Sequence, residues 1–180
     1  MQKGTNKKIV TTSRECAYVA VMTALLIAAQ LVFAAVPGVE VVSLLLFTYA
    51  FVFGWRRGMV VATAFSLLRQ IVFGFFPSVF VLYLVYYNAA AFVFGWLGKK
   101  KQAIVKNLPL CIFVACLCAV GFTLLDNCIT PLWYGYSERA RELYFEASLP
   151  VMVSQILCVA ASMGGLFLPL SKAYAFIKNK

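Results

Sequence analysis

Histidine is missing from this chain of 180 residues, and acidic residues number only six. Without imidazole the chain lacks the commonest general base and the commonest neutral metal ligand. No G-x-x-x-x-G-K-[ST] phosphate loop and no G-x-S-x-G nucleophile elbow occur, so neither ATP hydrolysis nor serine hydrolase chemistry is expected of this chain. Paired acidic motifs of the kind used in metal-dependent lipid transfer are also missing. C-x-x-C pairs are lacking as well. The six cysteines (Cys16, Cys111, Cys116, Cys118, Cys128 and Cys158) lie in or at the ends of apolar stretches. They read as small packing residues rather than zinc ligands. The chain is therefore expected to be non-catalytic, with no metal and no cofactor.

Charge of either sign is scarce, at 12% of residues against 63% hydrophobic. So few charges cannot cover the surface of a soluble domain of this length. The expectation is one all-α, polytopic membrane domain spanning 1–180. Six apolar stretches can be drawn: Cys16–Val36, Val39–Trp55, Gly58–Phe76, Val79–Leu97, Leu108–Thr130 and Ala147–Leu170. Most hold enough residues to cross about 30 Å of hydrocarbon at about 1.5 Å per helical residue. The second lies at the short limit. The first has an apolar region too long for a signal peptide, and no cleavage site follows a short core.

The net charge of +10 is not spread evenly. Lys3, Lys7, Lys8 and Arg14 precede the first stretch, and Arg56 and Arg57 follow the second. Lys99, Lys100, Lys101 and Lys106 follow the fourth, and Lys172, Lys178 and Lys180 follow the sixth. These positions hold thirteen of the 16 basic residues. Basic short loops stay cytoplasmic, so the pattern predicts six spans with both termini inside a prokaryotic plasma membrane. Orientation and contact with the bilayer headgroups account for the charge, and no basic patch interleaved with exposed aromatics is left for nucleic acid. The outer breaks are then Pro37–Gly38, Pro77–Ser78 and Pro131–Glu146. The last reads as a surface loop, with a short surface helix or a lid as alternatives.

Arg69 and Asp126 lie inside apolar stretches. An ionised residue at the bilayer centre costs at least about 2.5–3.5 kcal/mol, so each should face the protein interior, a partner or a cavity. The predicted orientation puts both in the outer half. Gln30, Glu40, Tyr83, Tyr86, Tyr87, Asn88 and Asn127 gather at the same depth, and Ser148, Gln155 and Ser162 recur every seven residues on one helix face. A polar, aromatic-walled pocket open to the outside accounts for the asymmetry. Alternatives stay open at this stage. Arg69 and Asp126 can form an interhelical pair that fixes packing, the tyrosines can be interfacial anchors, and the polar face can bond neighbouring helices. On the first span Ala17, Ala20, Ala24 and Ala28 make one small-residue face, suited to close helix packing within the chain or against a separate membrane subunit.

The chain resembles a substrate-capture (S) component of an energy-coupling factor (ECF) transporter over its whole length. The likeness rests on the six predicted stretches, the basic segment leading through Arg14 into Ala17, Ala20 and Ala24, and the run IAAQLVFAAVPGVEVVSLLL over Ile27–Leu46. Gly54 closing the second stretch and Gly74 near the end of the third add to it. The resemblance implies capture of a vitamin or related micronutrient in an outer cavity. It further implies docking on a transmembrane coupling subunit and energy from two cytoplasmic ATPases. On this likeness Ala20 and Ala24 match the docking motif, extended by Ala17 and Ala28. Ligand contacts are expected from Gln30, Glu40, Arg69, Asn88, Asp126 and Gln155, with Tyr83 or Tyr87 as a stacking wall and Val36–Glu40 as a gate. Arg69 would meet an anionic or carbonyl group, and Asp126 would orient Arg69 or accept from a ligand donor. The competing reading is a small polytopic scaffold of envelope or cell-shape assembly that holds no ligand.

Overall fold

The computed structural model describes residues 13–35, 41–100 and 108–179. Six α-helices make up the described chain: α1 Ser13–Phe33, α2 Val41–Phe53, α3 Trp55–Phe73, α4 Pro77–Lys100, α5 Leu108–Tyr134 and α6 Glu138–Asn179. Among the described residues there is no strand. Four helices (α1, α4, α5 and α6) are long and apolar enough to cross a membrane. Their sides present large apolar residues such as Val21, Val32, Phe113 and Leu157, each more than half exposed. Such surfaces suit lipid rather than water.

Helix α2 is the shortest, at 13 residues, and eleven of them are buried. It packs against α1, α3, α4 and α6. Phe47 stacks on Phe94 of α4 at 4.4 Å, and Phe51 meets Phe167 of α6 edge-on at 5.3 Å. A helix about 20 Å long leaves hydrocarbon uncovered if it stands alone. Surrounded by longer neighbours, it needs no lipid-facing length.

Gly54 ends α2 and starts α3 with no intervening loop, at φ 96. That backbone region suits glycine because no Cβ clashes there. Helix α4 comes directly against this turn. A Cβ added at Gly95 would overlap the Trp55 amide nitrogen, and one at Gly98 would overlap the Phe51 carbonyl oxygen. The register of α3 on α4 is antiparallel: Gly95 sits at Trp55, Asn88 bonds Thr63, and Tyr83 lies by Arg69. Helices α5 and α6 are likewise antiparallel, through Thr123–Gln155 and Asn127–Ser148.

The bundle therefore has two chemically distinct ends. At the Gly54 end, Arg57 pairs with Glu15 at the start of α1, and Lys178 donates to the Val52 carbonyl at 2.6 Å. Arg56 and Lys99 both lie over the Trp55 ring, at 5.2 and 5.5 Å. The Gly74 end instead carries polar side chains with buried atoms, among them Gln30, Gln70 and Asn127.

The stretch 131–146 departs from the expected surface loop. Helix α5 runs on to Tyr134, Gly135 turns the chain at φ 65, and α6 begins at Glu138. Ser137 caps α6 by accepting the Ala140 amide, and Glu138 places an acid in the first turn. Helix α6 is thus 42 residues, about 63 Å at the helical rise, against the 24 expected for the sixth span.

Candidate functional site

Among the described residues, Gln30, Arg69, Tyr83, Asp126, Asn127, Ser148 and Gln155 lie toward the Gly74 end, in two groups. The first lies between α1, α3 and α4. Gln30 Nε2 donates to the Tyr83 hydroxyl at 3.3 Å. The Arg69 guanidinium lies over the Tyr83 ring at 4.5 Å and over Phe73 at 5.3 Å. Tyr83, Tyr87 and Gln30 line a cavity of about 110 Å³ together with Phe33, Val41 and Val42. Tyr87 is buried and meets Phe65 and Tyr83 edge-on.

The second group lies between α5 and α6. Asp126 Oδ1 accepts from Thr130 and Oδ2 from Tyr144, both at 2.7 Å. Thr123 donates to Gln155 Oε1 at 3.1 Å, and Asn127 donates to Ser148 at 2.8 Å. Asp126, Tyr144, Ser148, Gln155 and Thr123 line a cavity of about 250 Å³. Phe122 belongs to both surroundings: it lines this cavity and meets Tyr86 and Tyr83 at 4.9 and 5.9 Å. An aromatic partition thus separates the two cavities.

This geometry does not join Arg69 to Asp126. Arg57–Glu15 is the salt bridge among the described residues, and the Asp126 carboxylate is held by two hydroxyls. The role of orienting Arg69 therefore does not fall to Asp126. The reason is adjacency: α3 packs on α1, α2 and α4, while α5 packs on α4 and α6. Asn88 is also committed elsewhere, accepting from Thr63 and donating to the Leu84 carbonyl, which makes it a brace between α3 and α4. Ser162 bonds its own helix at Val159, so the seven-residue face bonds α5 through Ser148 and Gln155. Glu40 and the proposed gate over Val36–Glu40 lie outside the described residues.

Several polar atoms at this end are buried without a partner: Gln30 Oε1, Arg69 Nε and Nη1, Gln70 Nε2 and Asn127 Oδ1. Leaving a buried donor or acceptor unmet costs about 1–3 kcal/mol each. A cation–π contact returns about 0.5–2 kcal/mol, less than the charge and its idle donors cost together. Such atoms are ready to meet a polar ligand or ordered water.

Sequence reasoning passed over Gln70, Phe122, Thr123 and Tyr144. Gln70 is 7% exposed and accepts the Phe76 amide through Oε1, which ties α3 to the turn before α4. Its position next to Arg69 was the available signal. Tyr144 falls in a polar segment that reads as a loop, and Phe122 and Thr123 carry no charge to mark them. The four alanines Ala17, Ala20, Ala24 and Ala28 are all exposed on one side of α1, while Met22, Leu26 and Ala29 turn inward. No family model, curated protein or solved structure matches this chain.

Proposed function

We propose that the chain is the substrate-capture component of an energy-coupling factor type importer for a vitamin or related micronutrient. It sits in a prokaryotic plasma membrane with six spans and both termini in the cytoplasm. In this reading the Gly54 end, with Arg56, Arg57, Lys99 and Lys178, faces the cytoplasm, as short basic segments do. The Gly74 end faces outward. Helices α2 and α3 complete the six: α2 crosses within the protein, and α3 keeps Arg69 against Tyr83 rather than lipid.

The observation that carries the reading is a pair of cavities at the Gly74 end, one walled by Gln30, Tyr83 and Tyr87 and the other by Asp126, Tyr144 and Gln155, with buried polar atoms left unpartnered at the same end. A scaffold has no need for donors and acceptors left idle. The exposed alanine face of α1 supports the partner half of the reading, because a smooth face lets a coupling helix approach closely. Hydrolysis falls to the two partner ATPases.

Two measurements test it. Mass spectrometry of the full chain purified in mild detergent should find a retained small molecule. Co-expression with a coupling subunit and two ATPases should yield a complex that Ala20→Trp or Ala24→Trp breaks, while both variants keep the ligand. A chain that retains nothing, and that assembles equally well with Trp at either site, is a scaffold instead.

A further inference from the structure

We infer that the cavity between α5 and α6 takes a small organic ammonium ion with an apolar body, and that Asp126 is its counter-ion; this rests on the capture reading above. Asp126 lines that cavity of about 250 Å³. Both of its oxygens accept, Oδ1 from Thr130 and Oδ2 from Tyr144, each at 2.7 Å. Two accepting oxygens suit the ionised form, because a protonated carboxyl turns one of them into a donor. The neutral hydroxyls leave the charge uncancelled, and each oxygen keeps a further acceptor position. No described cation pairs with it: the salt bridge among the described residues is Arg57–Glu15 at the Gly54 end, and the Arg69 guanidinium lies over the Tyr83 ring in the other group. Of the basic residues that begin α6, Arg141 donates to the Tyr136 carbonyl at 3.1 Å, and Arg139 is exposed. The segment 36–40 between α1 and α2 holds no basic residue.

The rest of the lining narrows the chemistry. The hydroxyls of Thr123 and Ser148 are already engaged, Thr123 donating to Gln155 Oε1 and Ser148 to the Phe145 carbonyl. They have no hydrogen left for an acidic ligand, which the Asp126 charge would also repel. Phe122, Ala147 and Val151 supply apolar wall, and Phe122 is itself packed against Tyr86 at 4.9 Å. The volume lies below the ~300–1,000 Å³ of drug-sized sites, so the body is small. Hard metal cations call for about six oxygen ligands, and Asp126 is the one acid in this lining. An ammonium needs a single carboxylate, and it forms a charge-assisted hydrogen bond about twice as strong as a neutral one.

The test uses the full chain in dodecyl maltoside, titrated calorimetrically with phenethylamine, 2-phenylethanol and phenylacetate after subtraction of empty micelles. Phenethylamine should bind at least about ten-fold more tightly than 2-phenylethanol, which shares its shape but not its charge, and phenylacetate should bind least. Asp126→Asn should remove the preference. Ala147→Trp, which fills the cavity and leaves the carboxylate in place, should remove phenethylamine binding, with thermal unfolding as the check that each variant folds. Equal binding of amine and alcohol, a preference that survives Asp126→Asn, or a folded Ala147→Trp chain that binds the amine as wild type does overturns the assignment. Phosphatidylethanolamine carries the same ammonium group. If it displaces phenethylamine at equal concentration in mixed micelles, the site belongs to a lipid headgroup and a free ligand is overturned. If a neutral or acidic molecule co-purifies and stays bound to Asp126→Asn, the ammonium assignment fails and the capture reading stands. If no molecule is retained and no probe binds, both fail.

Discussion

Asp126 holds two hydroxyls, Thr130 from its own helix and Tyr144 from α6, each at 2.7 Å. Hydrogen bonds to an ionised carboxylate contribute about 1.5–3 kcal/mol. Tyr144→Phe is expected to lower unfolding stability by about 1–2 kcal/mol, because part of this group is exposed. Asp126→Asn should lower it by a similar amount. Measured by thermal or denaturant unfolding in detergent, the double variant should fall short of the sum by about 1 kcal/mol, the energy of the shared contact. Strict additivity would show that the two side chains do not interact. At this scale the chain itself flagged Arg69 and Asp126, since charge inside an apolar run is costly wherever it sits. Their partners were not legible. Which side chains meet depends on how distant helices are rotated, and no local pattern encodes that.

Among the elements, the α2–α3 turn shows where glycine matters. Gly95 and Gly98 let α4 lie against the backbone of Trp55 and Phe51, whereas nothing lies within 4 Å of a Cβ placed on Gly121 of α5. Gly95→Ala and Gly98→Ala should each destabilise the bundle by about 1–3 kcal/mol, as overpacking does. Gly121→Ala should be neutral or stabilising by up to about 1 kcal/mol, from helix propensity. Thermal unfolding of the three variants separates the cases, and a Gly95→Ala variant as stable as wild type would refute the close approach. Hydropathy located the first five helices to within about four residues at each end, but α6, Glu138–Asn179, outruns its apolar stretch at both ends. The run Ser137–Glu146 extends α6, because Ser137 caps it and its charged residues take helical spacing. Those cues were present, but a polar segment between two apolar ones reads as a loop until the helices that flank it are seen.

For the whole molecule the separation of charge defines a direction. Arg56 and Lys99 flank Trp55 at one end, while Glu138, Arg139, Arg141, Glu142 and Glu146 belong to the opposite end. In a background lacking the native cysteines, Glu142→Cys should react with a membrane-impermeant maleimide on intact cells. Arg56→Cys should react after permeabilisation only. The reverse pattern would place the cavities on the cytoplasmic side and remove the case for capture from outside. The sequence by itself determined an all-helical chain with long apolar helices and basic residues at alternate breaks, because hydropathy and charge are properties of segments. Tertiary structure alone decided that α2 is the buried centre, that Asp126 belongs to Tyr144 rather than Arg69, and that the α1 alanines face outward. Those outcomes follow from helix rotation and adjacency, set by many distant contacts acting together. Arg69 is where the two meet: its charge was readable in the chain, and its lack of an acid partner among the described residues only in the fold.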